Sequence, residues 1–408
     1  MKRVLLHTCA LCIGATAAQA GGLDRSGQGV NILFEEGSVV QFRLGYTKPD
    51  VSGSMEDQIP TSPTFGETID SGNVSNSFFT PHLAYKTSLT EKLDFALVYD
   101  EPFGADIDYS SDYPLSQNVL ALAGLPGATT DVLRAKADTD AITALLRYKL
   151  DGGFSVIGGL RAQRLKASVS VPIAGASTTP FASGGYRVET DAEIDFGYVV
   201  GVAWERPDIA ARVALTYNSK ITHDLSQTEA NDAITGIVPP GIPVVGRVSA
   251  DSSTEVVTPQ SVNLDFQTGV APKTLLFGSI RWVDWPQTVY APPVYTGLTG
   301  INLVDYEEAT WTYSLGLGYQ FSEEFSGAVT LGYESSQGNS VSNLGPTDGF
   351  WSIGLGGTYS LEKAKISGGV RYTDIGDATA NGTGPDNRAT FTGNSAWSVG
   401  IQVTYALN

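Results

Sequence analysis

Apolar and polar residues alternate along most of the chain, and the alternation is sharpest at the C-terminal end. There Trp397, Val399, Ile401, Val403, Tyr405 and Leu407 are interleaved with Ser398, Gly400, Gln402, Thr404 and Ala406. A period of two places successive side chains on opposite faces of a strand, here one apolar and one small or polar. Three more runs repeat the pattern: Trp311 to Phe321, Phe325 to Tyr333 and Trp351 to Leu361. Their ends are aromatic, as expected where amphipathic rings mark the two membrane–water boundaries.

The alternation predicts fourteen strands, over 38–47, 76–89, 92–100, 139–150, 153–171, 185–205, 207–220, 254–269, 272–285, 307–321, 325–335, 349–361, 364–374 and 395–407. An even number lets an antiparallel barrel close with both termini on one side. The connections alternate as well. Short ones, such as 89–92, 150–153, 205–207, 269–273, 321–325 and 361–364, separate long ones at 48–75, 101–138, 172–184, 221–253, 286–306, 336–348 and 375–394. Short periplasmic turns and long external loops are the asymmetry of outer-membrane barrels. The fold class expected is therefore all-β, a transmembrane antiparallel β-barrel.

The N-terminus fits this address. Lys2 and Arg3 precede an apolar, small-residue stretch that ends in Ala18-Gln19-Ala20, the form of a secretory signal peptide over 1–20. The stretch is shorter than the about 20 apolar residues that a helical anchor needs. Residues 21–37 are then expected to form a short N-terminal plug, or hatch, with Leu23, Ile32 and Phe34 as its apolar contacts, and 38–408 the barrel. Cys9 and Cys12 both fall in the segment to be removed, which excludes disulfide scaffolds and thiolate metal sites from the exported chain. Without Lys2 and Arg3 the chain keeps 23 basic residues against its 43 acidic ones, a balance that repels nucleic acid.

Several scattered stretches resemble the FadL-type family of outer-membrane hydrophobic-compound transporters. Val98-Tyr99-Asp100-Glu101-Pro102-Phe103-Gly104 looks like that family's third strand running into a Pro-Phe-Gly break. Leu146-Arg147-Tyr148-Lys149-Leu150 followed by Phe154 to Leu160 resembles its fourth and fifth strands, and Thr258-Pro259-Gln260-Ser261 with Ile280 to Trp285 its eighth and ninth. The resemblance implies a fourteen-stranded monomeric barrel, plugged by a hatch and opened sideways, that carries a hydrophobic small molecule such as a long-chain fatty acid. It implies outer-membrane lipid, lipopolysaccharide and the barrel assembly machinery as partners, and no cofactor. Two features depart from the family: the hatch is short and lacks an Asn-Pro-Ala motif, and the chain finishes Tyr405-Ala406-Leu407-Asn408 rather than on an aromatic residue.

Transport of apolar molecules needs a dry, interruptible path and no nucleophile. Pro102 lacks a ladder N–H and Gly104 permits a sharp bend, so Pro102, Phe103 and Gly104 are the expected lateral gate; a plain strand end is the alternative. Loop 101–138 carries Val119, Leu120, Leu122, Leu125, Val132 and Leu133 at spacings suited to one or two short amphipathic helices. Loop 221–253 carries Ile234, Ile237, Val238, Ile242, Val244 and Val245. Such apolar loops pack over the barrel or capture ligand, which makes Leu120, Leu122 and Leu125 candidate contacts. Arg161 and Lys166 are candidates for a ligand carboxylate, although Arg164 and Lys166 fall on the face opposite Arg161. Catalysis is not expected: His82 faces the lumen and His223 opens a loop, and the acidic pairs 35–36, 307–308 and 323–324 show no Ca²⁺-loop spacing. The reading from another class is a general diffusion porin or a structural, adhesive barrel.

Overall fold

The computed structural model describes residues 23–172, 184–338, 340–381 and 387–407. The expected signal peptide and most of the connection 172–184 lie outside the described residues.

Fourteen antiparallel strands close into one barrel. They are β1 (Val39–Asp50), β2 (Phe78–Ser88), β3 (Leu93–Asp100, resuming as Gly104–Asp108), β4 (Arg134–Lys149), β5 (Phe154–Val171) and β6 (Gly184–Thr190, then Glu193–Arg206). There follow β7 (Ala211–Asn218, then Ile221–Val238), β8 (Ile242–Thr258, then Ser261–Ala271), β9 (Thr274–Val283), β10 (Thr310–Gln320), β11 (Phe325–Glu334), β12 (Phe350–Ser360), β13 (Ala364–Ile375) and β14 (Asn394–Ala406). Closure is by β1 on β14, in unbroken register from Val39 opposite Ala406 to Asp50 opposite Ser395. A bilayer offers no partner to a free strand edge, and this seam removes it.

The two faces are inverted relative to a water-soluble protein. Outward positions are large and apolar, among them Leu315, Ile353, Leu355, Val399 and Ile401, all exposed. Inward positions are polar and buried, among them Gln41, Thr143, Thr216, Asn263, Ser367 and Gln402. Aromatic pairs run from strand to strand near one rim: Trp282 beside Trp311, Tyr313 beside Tyr333, Tyr333 beside Trp351 and Tyr372 beside Trp397.

Two long connections differ from expectation. The segment 221–253 is no loop: β7 and β8 continue as a paired hairpin from Ile221 opposite Thr258 to Val238 opposite Ile242. Its outward side chains, Thr222, Asp224 and Thr228, are exposed and polar, so the apolar half of the period-two signal disappears. The segment 101–138 contributes strand to the barrel at both ends and contains a 3-10 turn, Pro114–Ser116, and one α-helical turn, Val119–Leu122, capped by the Asn118 side chain accepting from Leu120 N at 3.0 Å.

Three other connections zip together into a small sheet. Its strand order is Ser340–Val341, Ala378–Asn381, Arg388–Phe391, Gly53–Glu56 and Thr68–Asp70. Beneath it an apolar cluster that includes Met55, Tyr113, Leu133 and Phe391 fills the outer half of the barrel.

The N-terminal segment fills the inner half, and it is held by charge. Arg281 on β9 pairs with Asp24 and donates to Gly27 O at 3.2 Å, Gln28 Oε1 at 3.2 Å, Ser261 Oγ at 3.1 Å and Asn263 Oδ1 at 2.8 Å. Phe34 lies between two guanidinium groups, Arg147 at 4.4 Å and Arg212 at 4.5 Å from the ring centroid. Val30, Ile32 and Leu33 are buried against Ala84, Val98, Leu145 and Ile157. Ala84, Ala96, Ala203 and Ala214 in the same cluster leave space into which the segment's larger side chains pack.

Two outcomes follow. Leu315 lies in the middle of β10 on the lipid face, so Leu315→Arg should cost about 2–4 kcal/mol in reversible unfolding from lipid vesicles, a loss that Thr330→Arg on the lumen face should not reproduce. Arg281→Met strands a buried Asp24 carboxylate and should weaken docking of the N-terminal segment by about 3–5 kcal/mol. Planar-bilayer recording should then show a larger steady ion conductance than that of the native chain.

Candidate functional site

The ladder between β2 and β3 is interrupted. Pairing runs from Ser88 opposite Asp94 to His82 opposite Asp100 and stops. The same register resumes beyond the break, with Ser75 bridged to Ile107 and Asn76 N donating to Asp106 O at 2.9 Å. Between these points residues 77–81 and 101–105 face one another with no ladder between them. Pro81 and Pro102 each bring one missing N–H to this window. Opposite, β4 stays paired, but four steps along β3 match three along β4, from Asp100 opposite Ala141 to Gly104 opposite Asp138. The extra residue is a bulge that turns Phe103 inward, where it is buried.

Two groups satisfy the backbone that the break releases. The Thr139 hydroxyl accepts from Phe103 N at 2.9 Å and donates to Phe103 O at 2.7 Å. The N-terminal segment adds itself as a short strand: Asp24 bridges Phe103, Gly104 N donates to Leu23 O at 2.8 Å, and Arg25 N donates to Pro102 O at 2.8 Å. Arg25 then blocks the window. Its guanidinium lies over the Phe78 ring on β2 at 4.4 Å, and a Cβ on Gly104 of β3 would approach it to 2.4 Å. Burial lowers the Arg25 pKa, and the carboxylates of Asp138, Glu101 and Asp106 oppose that shift.

Behind the window lies a largely apolar cavity of ≈ 100 Å³ with an open mouth. Leu23, Phe103, Gly104 and Ala105 form the wall at the window; Leu165, Val169, Leu225 and Val256 form the far wall. The roof comes from the connection 286–306 and its flanks, with Trp285, Tyr290, Val304 and Tyr306. Phe103 meets Trp285 edge to face at 5.6 Å, and Trp285 packs on Tyr306 at 5.2 Å. The roof is pinned by a buried carboxylate. Glu229 accepts from Val294 N at 3.0 Å and Tyr295 N at 3.1 Å at the start of the helix Pro293–Thr299, and from Tyr186 Oη at 2.8 Å and Ser252 Oγ at 2.6 Å.

The structure thus brings Phe103, Gly104 and Leu23 to one cavity wall and Pro102 to the window beside them. It separates the remaining candidates. Ile32 and Phe34 lie deeper, in the plug. Leu120 is buried and Leu122 and Leu125 half-buried in the outer loop, none of them on the cavity wall. Arg161 points into the lumen and donates to Thr143 Oγ1 at 2.9 Å. Lys166 is exposed on the outer face, opposite Arg161 as the alternation predicts, since the two stand five positions apart on one strand. The cation on the cavity wall is instead Lys136, at its mouth, 3.9 Å from Asp106 and 3.7 Å from Asp138. His223, expected to open a loop, is fully buried within β7. The roof aromatics were not singled out from sequence, since nothing periodic marks 285–306.

Comparison with known proteins agrees with this geometry. A Neisseria meningitidis serogroup B protein named as an outer membrane protein is 24% identical over 370 residues, covering 82% of this chain and 78% of its own. Among solved structures, a Pseudomonas aeruginosa FadL homologue superposes with a TM-score of 0.74 at 17% identity, covering 97% of this chain and 98% of its own. The Pseudomonas putida toluene transporter TodX superposes with a TM-score of 0.65 at 12% identity, over 96% and 97%. The Ralstonia pickettii toluene transporter TbuX gives 0.59 at 12% identity, over 92% and 91%. Residues 33–407 match the family described as outer membrane protein transport protein (OMPP1/FadL/TodX), and the chain belongs to that family.

Proposed function

We propose that this barrel passively carries hydrophobic small molecules, long-chain fatty acids among them, from the cell exterior into the plane of the outer membrane through the window between β2 and β3. The observation that supports the reading is a greasy cavity whose wall coincides with a break in the ladder. An apolar ligand gains by leaving water for such a cavity, at about 25 cal/mol per Å² buried, and then has an apolar phase beside it. Partitioning alone drives the transfer. In this reading the N-terminal segment is the gate, since Leu23 to Ser26 cap the broken backbone and Arg25 blocks the window. Lys136 would meet a carboxylate at the mouth.

A second ligand class is favoured by the aromatic roof. Trp285, Tyr290 and Tyr306 offer ring faces and edges suited to an aromatic hydrocarbon, and two of the similar barrels are toluene transporters. Purified protein in lipid vesicles should take up a fluorescent long-chain fatty acid, or toluene, without large steady ion conductance. Ala105→Trp, which fills the cavity beside the window, should reduce that uptake to the rate of protein-free vesicles. Large open conductance with uptake of neither ligand would instead support a general porin.

A further inference from the structure

The barrel wall has a second interruption, between β6 and β7. Pairing below it ends at Val199 opposite Asn218, and pairing above it begins at Thr190 opposite Gln227. The register is the same on both sides, and single hydrogen bonds close the two ends, Ser219 N to Tyr198 O at 2.9 Å and Asp191 N to Ser226 O at 2.8 Å. Between them residues 192–197 and 220–225 share no ladder pairing, while β6 is paired to β5 from Glu193 and β7 to β8 from Ile221. The two windows are joined by one line of paired residues, since Asp100 is opposite Ala141, Ala141 opposite Gln163 and Gln163 opposite Asp195.

This window is also stopped from inside by a buried nitrogenous side chain. His223 fills it, with Nδ1 2.9 Å from Asp195 Oδ2 across the gap and Nε2 3.3 Å from Gln163 Nε2 and 3.5 Å from Thr258 Oγ1. Inside, Leu225 and Thr258 belong to the wall of the cavity already described. Outside, the β6 edge presents Ile194 and Phe196, the latter 76% exposed. Unpaired backbone in register, an apolar cavity inside and, on the β6 edge, apolar residues outside repeat features of the β2–β3 window, although the β7 edge presents Thr222 and Asp224.

We propose that the β6–β7 window is a second lateral portal from the same cavity to the membrane, with His223 as its stopper and Asp195 as the residue that positions the ring. The inference rests on the transport reading above, so its test carries a readout that does not need transport. Leu225→Cys places a thiol on the cavity wall, and Ala105→Trp fills the cavity at the first window. In that background the reaction of the thiol with a long-chain alkyl maleimide dissolved in the bilayer should be slow, and adding His223→Ala should accelerate it by about tenfold or more. A water-soluble charged maleimide should gain much less. In the fatty-acid assay, Ala105→Trp/His223→Ala should recover a large part of the uptake that Ala105→Trp abolishes.

Heat-modifiable electrophoretic mobility reports whether each barrel is folded. Should His223→Ala fail that check, Asp195→Asn, at a half-exposed position, loosens the ring and should shift labelling the same way. A folded variant with unchanged alkyl-maleimide labelling overturns the portal, as does equal acceleration by the charged reagent, which would make the window a water path. If the native chain carries no fatty acid at all, the transport reading fails, and the labelling rates decide the portal alone.

Discussion

Inside a bilayer an unpaired backbone N–H or C=O finds no water, and each costs several kcal/mol. That constraint governs this molecule. It explains why fourteen strands close without an edge and why polarity is turned inward. It also makes the two places where the ladder opens stand out from the rest of the wall. At the β2–β3 window the released groups are captured, by the Thr139 hydroxyl at Phe103 and by the backbone of Leu23 to Arg25. An opening kept at the expense of special partners is one that the fold retains for use.

The N-terminal segment makes two sets of contacts at once. Its deeper part is clamped by Arg281 and by the Arg147–Phe34–Arg212 stack. Its first residues complete the wall at the window. In the proposed reading, movement of Leu23 to Ser26 would expose the window while the deeper contacts of Val30, Ile32 and Leu33 stay in place. This division suits a family of outer-membrane transport barrels that act as channels and not as enzymes.

Much of the architecture could be read from sequence because lipid enforces the period-two pattern wherever a strand meets it. The fourteen strands are visible for that reason; the break at Pro102-Phe103-Gly104 is visible instead from the missing N–H of proline and the freedom of glycine. The pattern fails where outward residues are polar. The β7–β8 hairpin reads as a loop because its outer face is Thr222 and Asp224, and His223 then reads as a loop start although it lies within β7. The cavity was only half legible: Phe103, Gly104 and Leu23 carry local signals, whereas Trp285, Tyr290 and Tyr306 come from an irregular connection whose position is set by Glu229, far away in sequence. The opposite faces of Arg161 and Lys166 are legible in the sequence, because they follow from the same period of two.

The central claim is that a hydrophobic ligand leaves the barrel through its side. A long-chain fatty acid carrying a photoreactive diazirine on its tail, bound to the reconstituted protein and illuminated, marks the path directly when labelled peptides are sequenced. The account predicts label on Phe103 to Ala105, on Ala135 to Thr139 and on the lipid-facing Phe79 and Leu83 beside the window. Label running down the lumen to Arg147, Arg212 and Phe34, with none at the window, would contradict it and place the route through the plug.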